Sequence, residues 1–434
     1  MTPFSAIFVS QELREAVSDR AWLQGMLDAE RALARAGAAV GLVPQIAATK
    51  ISEACRTELF DAARLAEDGR RVGNPAEPLV RELRAAVGDE AADFVHLGAT
   101  SQDIVDTAAM LVSRRTVEHV LTELDRLADG CAALARAHRS TPMAARTLLQ
   151  QAVPTTFGLK AAGWLVAVLD ARGRLAAVRD ERLAVQLGGA AGTLAAMGDR
   201  ALEVVHLFAR ELDLAEPPLP WHANRQRVAE LGAALGIAAG AAAKIGGDLV
   251  LLAQSEVAEV AESSRGGSST MPQKRNPVRS TLAIACARLA NAHTGVLLGD
   301  LAHEHERGVG GWHAEWEALS GALAFAGGAV EAAADAVTGL DVDDERMRAN
   351  LEAGGGLVLA ERVSFALTPR LGRSEAHEIV AEAARASSFR QALAADTRVG
   401  LTEEELDVLL DPVGYLGAAE ALVDRALRAY EAAR

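Results

Sequence analysis

The thirteen prolines of this chain leave uninterrupted stretches at 79–141, 155–216, 221–271 and 278–368, and that spacing constrains the fold more than any other feature. Proline lacks the amide hydrogen that a helix interior needs, and its ring clashes with the preceding turn, so stretches of this length without it are where long helices form. The residues that fill them agree. Ala, Leu, Glu and Arg abound, aromatic residues make up only 4%, and no segment sustains the apolar/polar alternation of a half-buried strand. An all-α fold is expected, with no short repeat to indicate a solenoid.

Gly232, Gly236 and Gly240 recur every four residues inside a segment, Val228 to Glu262, that otherwise favours helix. That spacing puts them on one helix face, where missing side chains let a second helix approach closely. Breaks fall at Gly73-Asn74-Pro75, Gly98, Pro142, Pro217-Pro218-Leu219-Pro220 and Gly354-Gly355-Gly356, and the acidic Asp341-Val342-Asp343-Asp344-Glu345 opens a new helix. The 434 residues, half of them hydrophobic, are enough for several domains and a large core.

A net charge of −15 argues against nonspecific binding to nucleic acid or to an anionic membrane. Cys55, Cys131 and Cys286 are far apart and odd in number, which fits reduced core thiols rather than a disulfide framework or a zinc site. No basic stretch followed by a long apolar core opens the chain. The most apolar span, Leu231 to Ala243, is too short to cross a bilayer. A cytoplasmic protein is expected.

The segment with most chemistry reads Gly266-Gly267-Ser268-Ser269-Thr270-Met271-Pro272-Gln273-Lys274-Arg275-Asn276-Pro277. Two glycines free the backbone, Ser268 and Ser269 offer hydroxyls, and Lys274 and Asn276 supply a cation and an amide for binding an anion. A bare Gly-Ser stretch is a surface turn, here with a helix start at Asn276-Pro277. The whole string carries more, and it contains one of the chain's scarce lysines.

Other strings are read the same way. In Phe94-Val95-His96-Leu97-Gly98-Ala99-Thr100-Ser101-Gln102-Asp103, hydroxyls and backbone N–H groups at a helix N-terminus suit an anion, although Thr-Ser-Gln-Asp by itself is a helix cap. His96 is an acid/base group, a substrate contact or a buried structural histidine. Arg146-Thr147-Leu148-Leu149-Gln150-Gln151-Ala152-Val153-Pro154-Thr155-Thr156-Phe157-Gly158 reads by itself as a helix start with a Pro-Thr turn. His303-Glu304-His305-Glu306-Arg307 lacks the HExxH spacing, so no metal is expected there. Gly188-Gly189-Ala190-Ala191-Gly192-Thr193 has neither the dinucleotide glycine order nor a phosphate-loop lysine, and Ser268 lacks the elbow of a serine hydrolase.

Taken together, these strings resemble the fumarase/aspartase superfamily, whose members eliminate a group β to a carboxylate or run that reaction backwards. The likeness extends from Ser18-Asp19-Arg20 to Asp411-Pro412-Val413-Gly414-Tyr415-Leu416-Gly417. It implies a small N-terminal helical domain (1–103), a central bundle of long helices (104–338) carrying the catalytic loop 263–277, and a C-terminal helical domain (339–434). It also implies a homotetramer whose sites draw on three subunits, a small polycarboxylate substrate and no cofactor. By the same resemblance Ser268 moves the proton, with Ser269 in its place if the loop register differs, and His96 is the candidate second group. Arg20, Thr100, Ser101, Thr147, Gln150, Lys274, Asn276 and Arg307 are the implied substrate contacts.

The chain departs from the pattern where it matters. Fumarases carry histidine at the position of Leu148. Adenylosuccinate lyases carry it at those of Gln151 and Asn74, and arginine at that of Trp316; an amide such as Gln151 is no proton donor of comparable acidity. These substitutions set the expectation of a lactone-closing cycloisomerisation rather than adenylosuccinate cleavage. A different C–N or C–O lyase on the same frame is the alternative, and a crystallin-like structural role is disfavoured by the intact loop.

Overall fold

The computed structural model describes residues 3–263, 271 and 274–434. Helices dominate, as the proline gaps require. The longest are α1 (Asp19–Ala39), α2 (Ser101–Ala137), α3 (Phe157–Glu181), α4 (Gln226–Leu252), α5 (Val278–Gly299) and α6 (Gly311–Thr338), and α5 starts directly after Pro277. The chain divides into two compact units, one formed by Met1–Asp125, Asp170–Ala243 and Leu282–Ala332, the other by Arg126–Leu169, Lys244–Thr281 and Ala333–Arg434. Helices α2 to α6 each contribute residues to both.

In the first unit, Ser18 caps α1 by accepting from the Ala21 N–H at 3.2 Å, and the helix buries Leu23, Met26, Leu27 and Leu33. The glycine face of α4 lies against α5 over part of its length. A Cβ on Gly232 would come within 2.8 Å of Leu297, and one on Gly236 within 3.0 Å of Asn291, whereas Gly240 has open space around it. Close packing therefore holds at two of the three positions. Cys55, Cys131 and Cys286 are free and buried.

In the second unit the segment after Pro142 is not a helix start but a hairpin, β1 (Pro142–Thr147) against β2 (Gln150–Thr156), antiparallel, with Thr147 opposite Gln150. Leu148 and Leu149 form its two-residue turn with φ of 51° and 66°. Left-handed φ at both central positions is the mark of the tight hairpin turn that Asn-Gly usually makes, so two leucines gave no sequence signal for it. Two shorter strands, β3 (Val260–Glu262) and β4 (Leu340–Val342), pair with each other. Asp343 then caps α7 (Asp344–Glu352) through the Arg346 N–H at 2.8 Å, the acidic helix start expected there. Beyond it, Val363, Leu367, Ile379, Val380, Phe389, Leu393 and Leu406 form a compact apolar core of short helices.

Two expectations change. The helix expected from Val228 to Glu262 ends at Leu252; beyond it Ala258 takes a left-handed φ of 52° and the fully buried Glu259 turns to pair with Arg146. The apolar span read as 231–243 sits inside a helix of 27 residues, and both α4 and α5 are long and apolar enough to cross a membrane by length and composition. Less than half of either apolar window is buried within the chain.

Gly158, near the start of α3, is held against backbone. A Cβ there would lie 2.5 Å from the His138 carbonyl oxygen and 2.7 Å from Arg139 Cα, and neither can yield. Gly173, exposed on the same helix, has nothing within 4 Å. Thermal denaturation should therefore show Gly158→Ala destabilised by about 2–3 kcal/mol from overpacking, and Gly173→Ala unchanged or stabilised by up to about 1 kcal/mol.

Candidate active site

The first unit holds a corner built around one buried carboxylate. Asp103 lies in the first turn of α2, three residues after Thr100, where it accepts the Thr100 N–H at 2.9 Å. It also accepts the N–H groups of Gly188 and Gly189, each at 2.9 Å, and the Nε2 of His222 at 2.6 Å. Asp103 is fully buried, so these donors replace its hydration. The glycines are required. A Cβ on Gly188 would strike His222 Cε1 at 2.7 Å, and one on Gly189, whose φ is 68°, would meet the Gly98 carbonyl oxygen at 2.9 Å.

Arg307 closes the corner. Its guanidinium donates to Thr100 Oγ1 at 3.2 Å and to the Ala190 carbonyl at 3.2 Å, one partner from each of the segments that Asp103 binds. The Thr100 hydroxyl thus pairs with a cation, while its backbone N–H is taken up by Asp103 at the helix start. Ser101, half-buried, is the first residue of α2. His96 has a left-handed φ of 64°, and its Nδ1 lies 2.6 Å from Glu30 Oε1 on α1. Burial alone would lower the His96 pKa, but the charge and hydrogen bond of Glu30, with Asp103 behind, outweigh it and hold the ring above its ordinary value. Arg20 is exposed and pairs with Glu58 at 2.5 Å.

Behind the corner, α2 is tied to α6 by a buried charge network that sequence reading missed. Arg225 donates to both oxygens of Asp106 at 2.8 and 3.0 Å and to Glu315 at 2.5 and 2.9 Å, and stacks over Trp221 at 4.8 Å. Trp312 Nε1 also donates to Asp106, at 2.9 Å. Asp106 and Glu315 outweigh the cost of burial and raise the Arg225 pKa, so the cation persists. His303 is buried 3.9 Å from Glu315, while His305 is exposed. Among the described residues no three His, Cys, Asp or Glu side chains converge as a metal site would need.

The second unit places the remaining expected contacts. Thr147 and Gln150 face each other across the exposed hairpin turn, and the neighbouring Gln151 donates to the Asn350 carbonyl at 3.2 Å. Arg146 makes a bidentate pair with the buried Glu259 at 2.9 and 2.7 Å. The residues that flank the Gly-Ser segment are hydrogen-bonded to their surroundings. Glu262 accepts the N–H groups of Arg279 and Ser280 and the Ser280 hydroxyl, at 2.9, 2.8 and 2.6 Å, and the Ser263 N–H donates to Gly339 at 2.7 Å. Lys274, exposed, donates its N–H to Met271 at 3.1 Å, and the Asn276 carbonyl accepts from Val278 at 2.9 Å. Ser268 and Ser269 lie outside the described residues. Within the first unit, then, Thr100 and Arg307 are in direct contact and His96 and Ser101 belong to the same short segment; within the second, Thr147 and Gln150 meet.

Comparison with known proteins agrees with this frame. Residues 9–290 match the family model described as lyase, and residues 356–426 match that of the adenylosuccinate lyase C-terminus. The chain is 46% identical to a 3-carboxy-cis,cis-muconate cycloisomerase of Bradyrhizobium diazoefficiens, over 97% of this chain and 96% of that one. It is 47% identical to a nitrosuccinate lyase of Streptomyces davaonensis, over 98% and 94%. Among solved structures, the 3-carboxy-cis,cis-muconate lactonizing enzyme of Pseudomonas putida superposes with a TM-score of 0.94 at 43% identity, covering 99% of both chains. The chain belongs to the lyase family of the fumarase/aspartase superfamily, and its all-α fold is that of the family.

The dependence of the corner on Asp103 gives a direct expectation. Asp103→Ala strands Thr100, Gly188, Gly189 and His222 donors in the interior and should cost about 3–5 kcal/mol in urea denaturation. Asp103→Asn, which keeps one acceptor oxygen, should cost less. Equal stability of Asp103→Ala and the parent would show that the carboxylate does not hold these segments.

Proposed function

We propose that this chain is a 3-carboxy-cis,cis-muconate cycloisomerase, closing a lactone by adding one carboxylate of a tricarboxylic diene across a double bond conjugated to another. The observation that carries the reading is the near full-length likeness to cycloisomerases at 46–47% identity. The departures at Asn74, Leu148, Gln151 and Trp316 point the same way, because a buried phosphate such as that of adenylosuccinate would lack its partners.

The chemistry follows from where charge develops. Attack by the nucleophilic carboxylate drives electrons into the activating carboxylate, giving an aci-carboxylate that Lys274, Asn276 and fixed N–H groups stabilise. Arg307, Thr100 and Ser101 bind a substrate anion, with Thr147, Gln150 and Arg20 as further contacts. Ser268, or Ser269 in a shifted register, delivers the proton to the α-carbon; in the reverse direction it is the base, a role that requires a lowered pKa. His96 is the second ionisable group. No metal or organic cofactor takes part, and the protein works in the cytoplasm.

The working form is a homotetramer. Two features of the single chain support this. The apolar windows of α4 and α5 are only partly buried, and the hairpin turn presents Leu148 at 97% exposure and Leu149 at 70% beside the exposed Thr147 and Gln150. Superfamily sites draw their three motifs from different subunits, which would cover these surfaces and complete the site.

The second reading, nitrosuccinate lyase, is favoured by the 47% identity to the Streptomyces davaonensis enzyme. A substrate panel separates the two. The purified protein should lactonise 3-carboxy-cis,cis-muconate at an undiminished rate in the presence of a chelator, leave adenylosuccinate and argininosuccinate intact, and lose at least about 10²-fold in kcat on Ser268→Ala in a folded protein. Nitrite release from nitrosuccinate with no lactone from the muconate would overturn the cycloisomerase reading and leave the superfamily intact.

A further inference from the structure

Glu30 is a carboxylate in an unusual place. It sits on the buried face of α1 at 1% exposure, with Oε1 on His96 Nδ1 at 2.6 Å and, among the described residues, no hydrogen-bond partner for Oε2. A buried carboxylate with a single partner is costly, and an apolar residue would serve the core better unless the charge is used. The partner is strained as well, since His96 holds a left-handed φ of 64°. Such a backbone persists only where the surroundings over-determine it, and here the Glu30 bond and the hydrogen bond from the Ala99 N–H to the His96 carbonyl do so.

We infer that Glu30 is a positioning residue for the reaction, fixing the His96 ring through Nδ1 so that Nε2 is the nitrogen offered to substrate. The inference rests on the reading of His96 as a substrate-facing group. His96 Nε2 has no hydrogen-bonding partner among the described residues. With Nδ1 donating to a carboxylate, the neutral ring carries its lone pair on Nε2 and the charged ring carries a second donor there; the ring can therefore accept or donate a proton at one defined atom. The charged groups facing the ring are Glu30 on α1, Asp103 on α2 and Arg84 in the Ala76–Val87 helix, and the buried Cys55 thiol lies beside Glu30. Two carboxylates against one guanidinium favour the imidazolium. Glu30 acts by direct contact and therefore dominates the balance.

The test uses Glu30→Gln, which keeps shape and one hydrogen-bonding oxygen but removes the charge. Loss of the anion lowers the proton affinity of His96, so the limb of the kcat/KM pH profile that reports this ring moves to lower pH by about one unit or more, and kcat falls. Imidazole NMR titration of the same variants follows His96 without any substrate and should show the same downward shift. Failure of the substrate assignment therefore leaves this readout standing. Glu30→Asp, with a carboxylate on a shorter reach, should restore much of the titration shift and only part of kcat. In a His96→Gln background, Glu30→Gln should have no further effect on kcat/KM. If Glu30→Gln does not fold, the Glu30→Asp and His96→Gln pair carries the same cycle. An unchanged His96 titration, or additive losses in the double variant, would overturn the inference and leave Glu30 as a structural residue.

Discussion

A single buried carboxylate holds together the corner that the proposed function assigns to a substrate anion. Asp103 has lost its water and regains four donors, two from a glycine turn, one from the residue before its own helix and one from His222. Satisfying that charge brings Thr100 and the Gly188–Gly189 turn together, and Arg307 spans the result by bonding Thr100 and Ala190. The cation is thereby preorganised, with its partners held by backbone rather than by mobile side chains. The Arg225 network with Asp106 and Glu315 fixes the helix one turn further on. Positioning by buried charge is expensive, and here it is concentrated around the first two turns of α2.

The structure shows what stands at the positions where other superfamily members carry histidines. Leu148 and Gln151 cannot move protons, and in the structure neither is placed to do so: Leu148 tips the hairpin and Gln151 bonds the Asn350 carbonyl. What remains in the first unit is the Arg307 cation on Thr100 and Ala190, together with a half-buried histidine, His96, backed by Glu30. An addition that places charge on a carboxylate, followed by one proton delivery, asks for little more than that.

Much of this was legible in the sequence, for physical reasons that differ by element. The long helices followed from proline exclusion, and the close packing at Gly232 and Gly236 followed from spacing alone. The pairing of Asp103 with the Thr100 N–H is the three-residue pattern of a helix start and could have been read as such. The hairpin was not legible, since its turn uses two leucines in a conformation that glycine and asparagine normally supply. Nor was the end of α4, because a fully buried Glu259 looks like any helical glutamate until Arg146 is known to face it. Glu30 was hidden in the same way, one charged residue of a helix far upstream of the histidine it contacts.

In the proposed homotetramer the groups fixed within one chain are completed by surfaces of another copy, and mixing two inactive variants tests this most directly. Ser268→Ala and Thr100→Ala proteins, each inactive and folded by itself, should recover activity when unfolded together and refolded as mixed oligomers, well above the sum of the two refolded separately. Mixed refolding that yields oligomers with no recovered turnover, or a fully active monomer by light scattering, would contradict it.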